Sequence, residues 1–339
     1  MRRLLTSSSS VAAGVTAAAL LLAGCGTTES APGDSAASAS ASTGPVTVTD
    51  ATGATVKLDA PATKVVGTEW NIVESLVSLG VDPVGVADVK GYKAWDSAVP
   101  LRNAPKDIGL RGEPSMDTVA ALRPDVVIAT TDLPAAAVTQ LRKVAKVIQV
   151  RPGDAADPLG QMNKNLDLIA RATGRTAQAA TLKKSFETKL AAGKKALADA
   201  GLSGEEIAFA DGYVVSNQVS IRPYTSGSLL GGVNEALGLK NAWTMKGDKD
   251  YGLATTDVEG LTGLGKDVRF AYIANDSDGG DLVSTALVKN PVWNSLAFVK
   301  AKRVHRLKDG IWMFGGPGSM SAYVDSVVGA LTKTAAEKR

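Results

Sequence analysis

The sequence predicts an α/β fold of two lobes, each a parallel sheet covered by helices, joined by one long α-helix with a ligand cleft between the lobes. Three observations carry this. Short β-type runs alternate with helix-type runs from residue 64 to residue 150, the order that builds parallel sheets. The same order resumes at Glu206. Between the two blocks, residues 158–200 are nearly all helix formers.

Taken in order, Val46-Thr-Val and Thr55-Val-Lys-Leu flank a turn at Gly53 and read as a short hairpin. Lys64-Val-Val-Gly opens the alternation. Residues 72–79 have helical spacing, Pro83-Val-Gly-Val-Ala is a strand, 116–122 a helix, Asp125-Val-Val-Ile-Ala a buried strand, and 135–144 a helix before Val147-Ile-Gln-Val. These strands are too apolar to be exposed on either face, as in parallel sheets. The helical stretch 158–200 is interrupted by Gly174 and ends at Gly201; its second part, about 26 residues, would span about 39 Å. Then come the strand Glu206-Ile-Ala-Phe-Ala, helices over 228–237 and 258–264, the strands Val268-Arg-Phe-Ala-Tyr-Ile and Arg303-Val-His-Arg-Leu, and a last helix from 319 towards 332. The lobes are thus Rossmann-like, and a ligand is expected at their strand carboxyl ends. A single helical link offers few bending points, so lobe motion is expected to be small.

The N-terminus has its own logic. Arg2 and Arg3 precede an apolar stretch over 11–22 that closes on Leu22-Ala23-Gly24-Cys25. A dozen apolar residues fall short of the roughly 20 that span a bilayer, so residues 1–24 read as an export signal. Small residues directly before the single cysteine of the chain fit cleavage and lipidation at Cys25, which would tie the protein to the outer face of the cell membrane by a lipid anchor only. Residues 25–45, rich in Ser, Ala, Thr, Gly and Pro, cannot bury a core and read as a flexible tether. The expected organisation is completed by a first lobe over 46–157, the link over 158–200 and a second lobe over 201–339. With one cysteine no internal disulfide is possible. The formal charge of +3 comes from 37 basic and 34 acidic residues spread without a basic block, so nothing points to nucleic acid.

Two phrases of the sequence then carry a resemblance. One is Val81-Asp-Pro-Val-Gly-Val-Ala-Asp, Gly91-Tyr-Lys-Ala-Trp95, Asp107-Ile-Gly-Leu-Arg111-Gly-Glu-Pro-Ser-Met-Asp117 and Leu122-Arg-Pro-Asp125. The other is Asn241-Ala-Trp243, Tyr251-Gly, Val258-Glu259-Gly-Leu, Pro291-Val-Trp-Asn-Ser-Leu, Lys302-Arg-Val and Ile311-Trp312-Met-Phe-Gly. With the order of lobe, long helix, lobe, the chain resembles the periplasmic-binding proteins that serve siderophore, haem and cobalamin importers, and the spacing is similar to the ferric-hydroxamate-binding branch. The resemblance implies a non-enzymatic, monomeric protein that binds a ferric siderophore, of hydroxamate or mixed citrate-hydroxamate type, and delivers it to an ABC permease contacted through both lobes. It implies that Trp95 and Arg111 line the cleft from the first lobe, Tyr251 and Trp312 from the second, and that Asp117 and Glu259, each in a first helical turn, meet arginines of the permease. The branch has a tyrosine where Thr130-Thr-Asp132 stands here, which implies a relative of its usual ligand.

The residue chemistry agrees. A ferric tris-hydroxamate buries its metal in six oxygens of its own, so the protein needs no metal ligand or cofactor and offers aromatic faces and a rigid guanidinium fork. Trp95, set in a polar loop, and Trp312, beside Gly315-Gly-Pro-Gly, fit this, and core packing is the alternative for both. Arg222 is a second cation that would suit a free carboxylate, or a surface charge. Asp117 and Glu259 would also favour their helix N-termini. The single His305 lies in a strand; alone it cannot assemble a zinc or manganese site, and no Gly-x-Ser-x-Gly elbow accompanies it. Haem or cobalamin binding, and a secreted hydrolase, are the alternatives left open.

Overall fold

The computed structural model describes residues 44–336 apart from Asn217 and Gly279. The expected export signal, Cys25 and the tether up to residue 43 lie outside the described residues.

β1 (Val46–Thr49) and β2 (Thr55–Leu58) pair antiparallel. Their turn uses Gly53 at φ +83° and the Asp50 carboxylate, which accepts from the Thr52 and Ala54 amides. The first lobe continues with β3 (Val65–Gly67), α1 (Trp70–Ser78), β4 (Gly85–Val86), α2 (Val89–Trp95), β5 (Lys106–Asp107), α3 (Met116–Leu122), β6 (Val126–Thr130), α4 (Ala135–Val144) and β7 (Val147–Val150). Its sheet is wholly parallel in the order β5-β4-β3-β6-β7, and every residue of β3, β6 and β7 is buried, as helices on both faces require.

α5 (Pro158–Thr173) and α6 (Thr176–Asp199) follow. The second lobe holds β8 (Glu206–Val215), β9 (Gln218–Pro223), α7 (Leu229–Ala236), β10 (Lys240–Asn241), β11 (Arg269–Tyr272), α8 (Leu282–Thr285), α9 (Pro291–Ser295), α10 (Ala297–Lys300), β12 (Val304–Arg306) and α11 (Pro317–Ala336). β10-β8-β11-β12 are parallel, and β9 folds back antiparallel on β8.

The helical segment between the lobes is two helices. Gly174 closes α5 at φ +67°, the left-handed conformation in which glycine carries no side-chain penalty. It is α6 that joins the lobes. Ala179 and Leu182 pack into the first-lobe core, Phe186, Leu190 and Leu197 into the second, and the three- and four-residue spacing keeps all five on one face. At 24 residues the helix is about 36 Å long. Two local expectations are corrected. Trp95 is the last residue of a helix, not part of a loop; Asp88, at φ 51°, starts α2 by accepting from the Gly91 amide, an N-cap masked by the weak helix former Gly91. Residues 258–264 form only the 3₁₀ turn Glu259–Gly263.

A carboxylate crosses the lobe boundary. Glu74, fully buried in α1, accepts at Oε2 from the Gly316 amide and at Oε1 from the Ser319 amide, both at 2.8 Å. A first-lobe side chain therefore caps the N-terminus of the second lobe's α11. The glycine run permits this approach, since a Cβ on Gly315 would collide with Glu74 Oε2 and one on Gly318 with Val99. Ser319 Oγ donates to Asp96 Oδ1 at 3.0 Å. Burial first, then the nearby Glu74 charge, holds the Asp96 carboxyl well above the usual carboxylate range; burial raises the Glu74 carboxyl as well, against the amides of Ser319 and Gly316, which lower it.

A carboxyl whose pKa rises on folding takes up a proton as the chain folds. Its contribution is fully present below the ordinary value of about 3.9 and is lost as pH rises through the raised one. Asp96→Asn fixes the neutral state, so thermal denaturation of this variant is expected to depend less on pH than that of the parent above the ordinary carboxylate value, with parallel curves as the contrary result.

Candidate functional site

Strand carboxyl ends of both lobes converge on one cavity of about 320 Å³. Glu69 and Asn71 reach it from the start of α1, just after β3, and Arg111 from the loop after β5. Arg222 on β9 and Tyr251, Leu253, Trp312 and Phe314 close it from the second lobe.

Arg111 is built into place. Its Nη1 donates to Glu69 Oε1 at 2.8 Å, its guanidinium lies 4.1 Å from the centre of the Trp70 ring, and the Trp312 ring centre is 5.2 Å away. Trp70 and Trp312 meet edge to face at 4.6 Å, and Trp312 meets Phe314 in the same way at 5.1 Å. The Trp70 Nε1 donates to the Ala87 carbonyl, which fixes the ring beneath the arginine. Trp312 is largely buried and its Nε1 is closed off without an acceptor, so it gives the cavity ring carbon rather than a donor. Burial pushes the Glu69 carboxyl up and the Arg111 charge opposes this.

The opposite wall has its own network. Arg222 makes a two-pronged contact with Asp211, which also accepts from Tyr224 Oη at 3.1 Å. Tyr251 Oη donates to Asp132 Oδ2 at 2.6 Å, across the lobes. Burial and then that carboxylate push the Tyr251 phenol well above its ordinary pKa.

Of the residues singled out by sequence, Arg111, Arg222, Tyr251 and Trp312 line this cavity together. Trp95 does not. It lines a neighbouring recess of about 90 Å³ with Asp211 and Tyr272, and its Nε1 donates to Asp278 Oδ2 at 2.8 Å, again across the lobes. Asp117 and Glu259 are exposed in the first turns of α3 and the 3₁₀ segment, and neither has an ion-pair partner among the described residues. His305 is buried within β12. Sequence reasoning missed Glu69, Trp70, Phe314 and the role of Asp132. Phe314, one residue from the quoted Trp312, had a signal in its aromatic neighbour; the others are brought in by the turn after β3 and by contacts between distant segments.

Other openings suit a ligand less. A larger recess of about 480 Å³ runs along α2 beside Lys90, Lys93 and Asp278 but has no aromatic wall, and a space of about 30 Å³ near Pro152 and Gly315 is far too small for a siderophore. Among the described residues no three His, Cys, Asp or Glu side chains converge as a metal site would need.

Known proteins resemble this chain in sequence and in fold. The iron(3+)-hydroxamate-binding protein FhuD of Escherichia coli is 25% identical over 273 residues, 78% of this chain and 87% of that protein. The probable siderophore-binding lipoprotein YfiY of Bacillus subtilis is 24% identical over 88% of this chain and 90% of its own. Among solved structures, the Fe³⁺-Desferal-bound siderophore binding protein FhuD of Vibrio cholerae superposes with a TM-score of 0.71 at 23% identity, over 80% of this chain and 98% of that one, which shows the two-lobed fold. The periplasmic binding protein family matches residues 65–310, a span that takes in both parallel sheets, the link and all of the cavity lining except Trp312 and Phe314, and the chain belongs to that family.

Proposed function

We propose that the protein binds a ferric siderophore, of hydroxamate or mixed citrate-hydroxamate type, outside the cytoplasmic membrane and passes it to the permease of an ABC importer. The observation that carries this reading is Arg111, a guanidinium held by Glu69 and stacked on Trp70 inside an aromatic-walled cavity between two lobes. Such a site can present N–H donors to hydroxamate oxygens and ring faces to the organic shell, while the iron stays in the siderophore and the protein needs no cofactor. The relatives support the same reading through what they are named for binding, and their family is one of binding proteins rather than enzymes. Exposed Asp117 and Glu259 are the permease contacts in this reading, one on each lobe, and Cys25 is the lipid anchor that keeps a monomer near the importer.

The decisive experiment is fluorescence titration of the purified protein with ferric hydroxamates, a ferric citrate-hydroxamate, a ferric tris-catecholate, haem and cobalamin. One ferric hydroxamate or citrate-hydroxamate is expected to bind at one-to-one stoichiometry and quench Trp70 and Trp312. Haem binding with no response to any ferric siderophore would sink the reading. Haem is disfavoured by the cavity itself: Tyr251, its one phenol, donates to Asp132 and resists ionising, whereas an axial tyrosine binds iron as phenolate.

A further inference from the structure

We infer that, among ferric tris-hydroxamates, the cleft selects by the charge of the tail, favouring a free cationic arm over a carboxylate one. This deepens the reading above and rests on it.

Both cations of the cavity are already committed to carboxylates. Arg111 is held by Glu69, and Arg222 by Asp211. A third carboxylate, Asp132, is bound to Tyr251 Oη, a neutral donor, and it pairs with no Lys, Arg or His among the described residues. Glu69, Asp132 and Arg111 all act electrostatically on Tyr251, so these groups form one cluster. Glu69 with Arg111 and Asp211 with Arg222 are matched pairs, so Asp132, behind Tyr251, is the unmatched charge of the cluster around the cavity. The surroundings repeat the imbalance: Arg151, below Tyr251, is shared by Asp154 and Asp250, and Arg306 in the second lobe by Asp276, Asp281 and Asp309. Lys90 and Lys93 line the separate recess along α2 beside Asp278.

The iron core is neutral in a tris-hydroxamate, since three singly charged hydroxamates balance Fe³⁺, so the charge of the complex is that of its tail. An alkylammonium tail gains from Asp132, which is exposed at the rim with one oxygen not engaged by Tyr251, and from the ring of Tyr251 or Phe314. A carboxylate tail meets like charge at Asp132, and Arg222, whose Nε and Nη2 both go to Asp211, cannot turn to it without leaving its partner, which in a partly buried site is costly.

The test uses one linear ferric tris-hydroxamate in three forms: with a terminal primary amine, with that amine acetylated, and with it succinylated to a carboxylate. Titrated into the purified protein at about 50 mM salt, where screening is weak, the amine form should bind about tenfold more tightly than the succinyl form, with the acetyl form between them. In Asp132→Asn, which keeps an acceptor for Tyr251 Oη, the amine-to-acetyl ratio of Kd values should collapse towards one. Equal affinities for the three forms, tighter binding of the succinyl form, or a ratio untouched by Asp132→Asn would each overturn the inference while leaving siderophore binding intact. Binding of none of the three would instead remove the hydroxamate reading beneath it.

Discussion

Glu74→Ala is expected to lower the stability of the protein by about 3 kcal/mol or more. Two amides at the N-terminus of α11, on Gly316 just before the helix and Ser319 in its first turn, lose their acceptor in a buried setting, and each buried donor left unmet costs about 1–3 kcal/mol. A void is added where the side chain was, and Asp96 keeps only Ser319 Oγ as partner. Glu74→Gln retains one carbonyl oxygen and should recover about half of the loss. Thermal and urea denaturation followed by circular dichroism would measure both. A loss below about 1 kcal/mol for Glu74→Ala would show that water or backbone shifts satisfy the amides, and the inter-lobe cap would then carry no weight.

Arg111→Ala is expected to weaken ferric hydroxamate binding by about 100-fold. A hydrogen bond to a charged group contributes about 1.5–3 kcal/mol, and tenfold in affinity corresponds to about 1.4 kcal/mol. Removal also strips Glu69 of its only cation among the described residues, turning a neutral pair into a half-buried carboxylate that repels ligand oxygens when ionised and has to hold a proton otherwise. Arg222→Ala should cost less than about tenfold, because Arg222 spends its fork on Asp211 and offers fewer donors to a ligand. Titration of both variants with the same ferric tris-hydroxamate decides the matter. Equal losses would remove Arg111 from its special position.

Much of the architecture is legible because it is written in local pattern. α3 and α4 fall on the residues that spacing predicts, and Ser115 starts α3 by accepting from the Thr118 amide. β6 and β7 are apolar throughout, which only a sheet covered on both faces explains. α2 and β9 were not legible. One is seven residues long with a central glycine, and the other depends on pairing with β8 rather than on its own alternation. At the site, Arg111, Tyr251 and Trp312 stand out by type and by the motif around them. Glu69, Asp132 and Glu74 look like ordinary acids in sequence, because their partners lie 42, 119 and more than 240 residues away. The run Gly315-Gly-Pro-Gly held a trace of Glu74: glycines packed that densely mark a place where backbone and another group come close, although they do not say which group.

The same cap, together with Trp95 on Asp278 and Asn275 on the Ala94 carbonyl, pins the lobes at several points away from the cavity. A copy that keeps these pins on loading holds Asp117 and Glu259 at the same separation as an empty one. Under the proposed docking, an importer cannot sort the two by outline, and every unloaded copy competes with a loaded one for the same seat. Uptake would therefore climb and then fall as the number of tethered binding proteins per importer rises, and the cell's useful stoichiometry would be set by how scarce the siderophore is rather than by how much binding protein it can make.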